Sequence, residues 1–255
     1  MPNGFLAALG ITSLAGLSTG LGALFCLFPR RPGRRALAFS MGFSAGVMVM
    51  IAFGCMLAES AEVIGRPWSL ILLVTGMLAM WLLDLAVPHG AAEASLQDPD
   101  ATRLLRAGRL VATGIAIHNI PEGIAVFFGG LHDVHLGWAL AVAVALHNIP
   151  EGMAIAIPVY GATGNRGKAV VLSVGAGVVE PAAALVTGLA LYRFISPAVI
   201  AGTMAAAAGF MLYVALDELL PAAHTDQQGH VAIAGVTAGV ALMALGIILL
   251  EAACR

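Results

Sequence analysis

Residues 110–158 read LVATGIAIHNIPEGIAVFFGGLHDVHLGWALAVAVALHNIPEGMAIAIP, and the fold turns on this stretch. It divides into two apolar segments, 110–129 and 137–158, each long enough to cross a bilayer as a helix, which takes about 20 residues. The hexapeptide HisAsnIleProGluGly stands near the middle of each, at 118–123 and again at 147–152, a separation of 29 residues. The flanks match in character: Ile115-Ala116-Ile117 against Val144-Ala145-Leu146.

Six more segments of this kind lie outward from the pair, at 4–28, 36–58, 68–88, 169–192, 197–220 and 231–250. The breaks are readable. ProArgArgProGlyArgArg at 29–35 ends the first segment, and Ile64 to Pro67 separates the second from the third. A polar connection over about 89–109 precedes the fourth, and Tyr160 to Lys168 separates the fifth from the sixth. The expectation is an all-α polytopic membrane protein with eight transmembrane helices, forming one transporter domain over 1–255.

Composition agrees. Hydrophobic residues make up 60% and charged residues 10%, against about 45–50% and about 25% in soluble domains. A globule of this size cannot hide that apolar surplus, but lipid accepts it. A net charge of -2 suggests neither a nucleic-acid partner nor a strongly basic or acidic one. Cys26, Cys55 and Cys254 form no CxxC pair, so neither a disulfide framework nor a zinc ribbon is expected. The first segment lacks a charged leader region and is kept as a mature span. With short loops and no targeting sequence, the expected location is a bacterial inner membrane.

Lys and Arg set the orientation. Nine of them (Arg30, Arg31, Arg34, Arg35, Arg103, Arg106, Arg109, Arg166 and Lys168) lie on one side, against three (Arg66, Arg193 and Arg255) on the other. The first side is expected in the cytoplasm, which leaves both termini extracytoplasmic. Gly16 with Gly20, and Gly42 with Gly46, have small-xxx-small spacing. With 31 glycines in the chain, any single pair reads as ordinary abundance. The run Ala205 to Gly209 reads as close helix packing, and the methionines as packing rather than ligands.

Ionisable groups at mid-bilayer cost about 2.5–3.5 kcal/mol each on insertion scales. Glu122, Glu151 and Glu180 all fall inside apolar spans, and no Lys or Arg lies near the middle of any span. A bound cation or a proton is the obvious compensation. His118 and Glu122 are four apart and share a helix face, and Asn119 flanks it; His147, Asn148 and Glu151 repeat the pattern. Two such faces together offer imidazole nitrogen and hard oxygen, a set suited to first-row divalent metals. Pro121, Pro150 and Pro181 lack N–H groups and free the carbonyls of Ile117, Leu146 and Gly177. Broken backbone at this depth is tolerated where it lines an ion path. Three ionised glutamates give -3; one divalent ion leaves -1 and two leave +1.

Two HNxPEG motifs in consecutive helices, followed by GluPro in the next, resemble the fourth to sixth helices of the ZIP (Zrt/Irt-like) metal transporters. SerAlaGlyValMet at 44–48, LeuAspxxxProHis ending at His89 and LeuAspGluLeuLeuPro at 216–221 extend the resemblance over essentially the whole chain. It is nearest to the short bacterial branch with broad specificity. The resemblance implies one metal position formed by His118, Glu122, His147 and Glu151. It implies a second formed by Asn119, Glu122, Asn148, Glu151 and Glu180, with Glu122 and Glu151 bridging. It further implies uptake of zinc, iron, manganese, cobalt or cadmium by alternating access, a metal-bearing bundle moving against the other helices. The ions are cargo, and no cofactor is expected. Many relatives carry a glutamate where this chain has Cys55, while Glu59 and Glu62 come slightly later.

Asp84, His89, Asp217, Glu218 and His224, near cytoplasmic helix ends, read equally as an exit path or as polar side chains reaching water. His132, Asp133 and His135 read as loop polarity. The main rival function, an intramembrane metal-dependent hydrolase, needs HisGluxxHis, which is absent. A di-metal oxidase would show Glu-x-x-His. No nucleotide motif suggests direct ATP drive. A sensor or a passive channel would keep the same ligands. Oligomeric state is left open, with a homodimer among the options.

Overall fold

The computed structural model describes residues 2–24, 33–86, 99–132, 134–191, 196–224 and 228–253, and all regular structure among them is helical. Eight helices are long and apolar enough to cross a membrane. They are α1 (Pro2–Gly22), α2 (Arg34–Ile64), α3 (Arg66–Ala86), α4 (Pro99–His132), α5 (Val134–Thr163), α6 (Arg166–Val186, then a π-helical turn over Thr187–Leu191), α7 (Pro197–Ala223) and α8 (Gly229–Ala253). Two more π-helical turns interrupt α2 at Ala52–Met56 and α7 at Val214–Leu219.

Local chemistry sets the ends. The Asn165 side chain accepts from the Lys168 N–H and caps α6. Ser196 caps α7 in the same way through the Val199 N–H, with Pro197 at the first helical position. Gly65 (φ 83°) separates α2 from α3, and Gly164 (φ 64°) ends α5; both adopt the left-handed backbone that favours glycine.

Three expectations need correction. First, α4 begins at Pro99, so residues 99–109 are helix and not connection. Arg103 is exposed and Arg106 and Arg109 are half-buried, while Leu105, Ala107 and Leu110 are buried against neighbouring helices. Second, α5 runs through Pro158 to Thr163, and only Gly164 and Asn165 separate it from α6. Third, Pro121, Pro150 and Pro181 all stay inside continuous helices. Each costs its helix one hydrogen bond without breaking it.

The helices sort into two groups. α1, α4, α5 and α6 pack on one another, while α2 pairs with α8 and α3 with α7. Glycine draws the backbones together inside each group. A Cβ on Gly16 would run into the Gly177 carbonyl, and one on Gly152 into that of Thr19. In the second group, Gly42 and Gly46 meet the carbonyls of Ala232 and Val236 in the same way. The Gly16 and Gly42–Gly46 positions are therefore built contacts, not ordinary abundance. Where Gly114 faces the other group, its neighbour is the Val214 side chain rather than backbone. The seam between the groups is filled by Met41, Met48, Met56, Met80 and Met211 against Leu110, Ile115 and Ile155. Unbranched methionines fill irregular gaps between packed helices.

Candidate metal centre

The two hexapeptides lie on neighbouring helices, α4 and α5, with α6 against both. His118, Asn119, Glu122, His147, Asn148, Glu151 and Glu180 are all buried. Every residue singled out in the sequence as a metal ligand is thus withdrawn from solvent at the heart of the first group.

Glu122 is central. Its Oε1 lies 3.0 Å from His118 Nε2, one helical turn back, and 2.9 Å from His147 Nε2 on α5. Glu151 Oε1 is 3.5 Å from His118 Nε2. The two imidazole rings stand 6.5 Å apart, centroid to centroid. The asparagines are held from behind. Asn119 Nδ2 donates to the Ala176 carbonyl at 3.0 Å, and Asn148 Nδ2 donates to the Ala15 carbonyl at 3.0 Å. Asn148 Nδ2 also donates to Glu180 Oε1 at 2.6 Å, which ties α6 to the motif. With both amide nitrogens engaged, both amide oxygens remain as unused acceptors.

Among the described residues, nine buried side-chain polar atoms lack a hydrogen-bond partner, and eight of them belong to these seven residues. They are both His118 nitrogens, Asn119 Oδ1, Asn148 Oδ1, Glu122 Oε2, Glu180 Oε2 and both Glu151 oxygens; the close approaches of His118 Nε2 to Glu122 and Glu151 lack hydrogen-bond geometry. Buried polar atoms are ordinarily satisfied, so a concentration like this asks for a ligand. Coordinating atoms of His118, Glu122 and His147 lie within 4.8 Å of one another. Tetrahedral zinc with bonds of about 2.0 Å spaces its ligand atoms about 3.3 Å apart. The 2.9–3.0 Å contacts would need to open by only a few tenths of an ångström.

Sequence reasoning missed the groups that hold the motif in place. Ser44 Oγ on α2 donates to the Pro150 carbonyl at 3.2 Å, and Ser173 Oγ on α6 donates to that of Gly152 at 3.1 Å. A serine in an apolar span carries no signal that tells such a clasp from a bond within its own helix.

The weaker candidates divide. Asp84, Asp217 and Glu218 come together with carboxylate oxygens within 4.8 Å. Arg106 Nη2 donates to Asp84 Oδ1 at 3.0 Å, and the Tyr213 hydroxyl donates to Asp84 Oδ2 at 3.3 Å. His224 stands apart, exposed, with Nδ1 3.0 Å from the carbonyl of Leu220 in its own turn. His89, Asp133 and the His132 side chain lie outside the described residues, and His135 is exposed. Cys55 is part-buried within the α2 π turn, and Glu59 and Glu62 are exposed beyond it.

A family model described as ZIP Zinc transporter matches residues 89–246. The chain belongs to the ZIP family. Among its ZIP relatives, the Zinc transporter ZupT of Chlorobium luteolum is 45% identical over 262 residues, covering 96% of this chain and 98% of that protein. The ZupT of Nitratidesulfovibrio vulgaris is 41% identical, covering 96% and 97%. That of Streptococcus mutans is 37% identical, covering 94% and 96%. ZIP proteins are transporters rather than enzymes, which removes the hydrolase reading.

Proposed function

We propose that this ZIP protein takes divalent transition-metal ions, zinc foremost, across a bacterial inner membrane into the cytoplasm, and that the whole chain works as one transport unit. The observation that carries this reading is the set of eight unpartnered polar atoms buried between α4, α5 and α6. The ions are cargo. One position draws on His118, Glu122, His147 and Glu151; the adjacent one draws on Asn119, Asn148 and Glu180, with Glu122 and Glu151 shared. Imidazole and carboxylate without thiolate suit zinc, iron, manganese and cobalt over Cu(I). The basic residues of the α4 and α6 starts favour a cytoplasmic position for those ends, with both termini outside. Two glycine-knit groups separated by a methionine-lined seam favour alternating access, in which the first group carries the ion past the second.

The test is zinc and iron uptake into proteoliposomes, with wild type beside His147→Ala and Glu151→Ala. Saturable uptake that disappears in both variants is expected. Well-folded wild type that binds zinc but lets none across would instead favour a sensor.

A further inference from the structure

We infer that the Arg106–Asp84 pair is a reversible latch between the two helix groups, opening and re-forming once in each transport cycle. The inference rests on the alternating-access reading above.

The cation and its receptor come from different groups. Arg106 belongs to α4, 12 residues before His118, or about 18 Å down the same helix at a rise of about 1.5 Å per residue. The receptor belongs wholly to the second group: Asp84 on α3, with Tyr213, Asp217 and Glu218 on α7. Asp84 takes the guanidinium directly, with the Asp217 and Glu218 carboxyl groups beside it, so the receptor is acidic throughout. Arg103, one turn earlier on α4, also acts electrostatically on Glu218. A guanidinium–carboxylate contact is directional. A displacement of α4 past α3 and α7 by about one helical turn, about 5.4 Å, therefore breaks it.

Its surroundings let it break. The Arg106 side chain is 37% exposed, so water can take over the guanidinium as it leaves, while Asp84, only 10% exposed, keeps the Tyr213 hydroxyl as a donor. A fully buried pair would not separate in this way. Among the described residues, no glycine-to-backbone contact of the kind that knits each group crosses the seam at this point. Ser44 Oγ also bridges the groups, to the Pro150 carbonyl, but that contact is buried and uncharged. The charged pair is thus the contact best suited to hold one state and yield to the next.

The test uses the full chain in proteoliposomes, with Cys26, Cys55 and Cys254 changed to serine and Asp84→Cys/Arg106→Cys introduced. The two thiols are joined by a short, reducible bifunctional thiosulfonate. Joining is expected to lower zinc uptake by about tenfold or more, and reduction to restore it. Undiminished uptake in the joined protein overturns the latch while leaving transport intact. Failure of the cysteine-free parent to transport zinc would instead count against the function proposed above. Should the cysteine pair itself stop uptake, Asp84→Arg/Arg106→Asp is compared with Arg106→Asp. Recovery of about fivefold or more in the double variant supports the pair, and no recovery overturns it.

Discussion

Glu122 Oε1 lies 2.9 Å from His147 Nε2, although 25 residues separate the two in sequence. The same oxygen is 3.0 Å from His118 Nε2. One carboxylate therefore touches an imidazole from each copy of the repeat, and the centre is organised around it.

Glu122→Ala should consequently cost more than Asn119→Ala. The first removes a group in contact with both imidazoles, while the second removes one amide oxygen. We expect initial zinc uptake to fall about a hundredfold or more for Glu122→Ala and about three- to tenfold for Asn119→Ala. The reverse ranking would break the shared-carboxylate arrangement.

Uptake should weaken in acid. Metal binding requires neutral imidazole and ionised carboxylate, so protons compete with the ion for His118, His147 and the glutamates. Lowering external pH from about 7.5 to about 5.5 crosses the ordinary imidazole range and should raise the zinc concentration for half-maximal uptake. A flat profile would mean that these groups do not limit loading.

Asn148→Asp places a second carboxylate where Asn148 Nδ2 now donates to Glu180 Oε1 at 2.6 Å. Without metal, two carboxyl groups lie buried side by side with no amide donor between them and must share a proton, so the protein should melt earlier. With zinc the extra charge becomes a ligand, so the zinc-induced gain in melting temperature should exceed that of wild type. Equal gains would separate Asn148 from the ion.

Gly152→Ala should destabilise the first group by about 1–3 kcal/mol, because the new methyl meets the Thr19 carbonyl. Gly175→Ala is the matched control, since nothing lies within 4 Å of its Cβ position. Melting of both variants in detergent checks the contrast. Similar melting curves would deny the close approach of α1 and α5.

The spans were legible because lipid imposes a length and a composition on each, and the chain obeys both. The centre was legible because acidic residues inside apolar spans need compensation, and an identical repeat placed two such sets in register. Glu180 followed from the same argument through one GluPro. The start of α4 was not legible, since Asp98-Pro99-Asp100 and three arginines look like a loop until Leu105 and Leu110 are seen buried, each against different neighbours. Nor was the Arg106–Asp84 contact, which joins residues 22 apart across a polar connection. Ser44 and Ser173 act through backbone carbonyls of other helices, and no local pattern encodes that.

The π-helical turn at Ala52–Met56 has a consequence for comparing this chain with its kin. Such a turn amounts to one residue inserted into ordinary winding, and it rotates everything beyond it by about 100°. Glu59 and Glu62 thus point where a plain helix would not send them, and residue-for-residue matching ceases to track space at Cys55. A relative without the insertion presents a different position at the same place, so a glutamate opposite Cys55 in an alignment need not stand where Cys55 does. Deleting a single residue between 52 and 56 would re-aim Glu59 and Glu62 without altering the chemistry of any side chain beyond the turn. What this end of α2 presents is open to change by phase as well as by substitution.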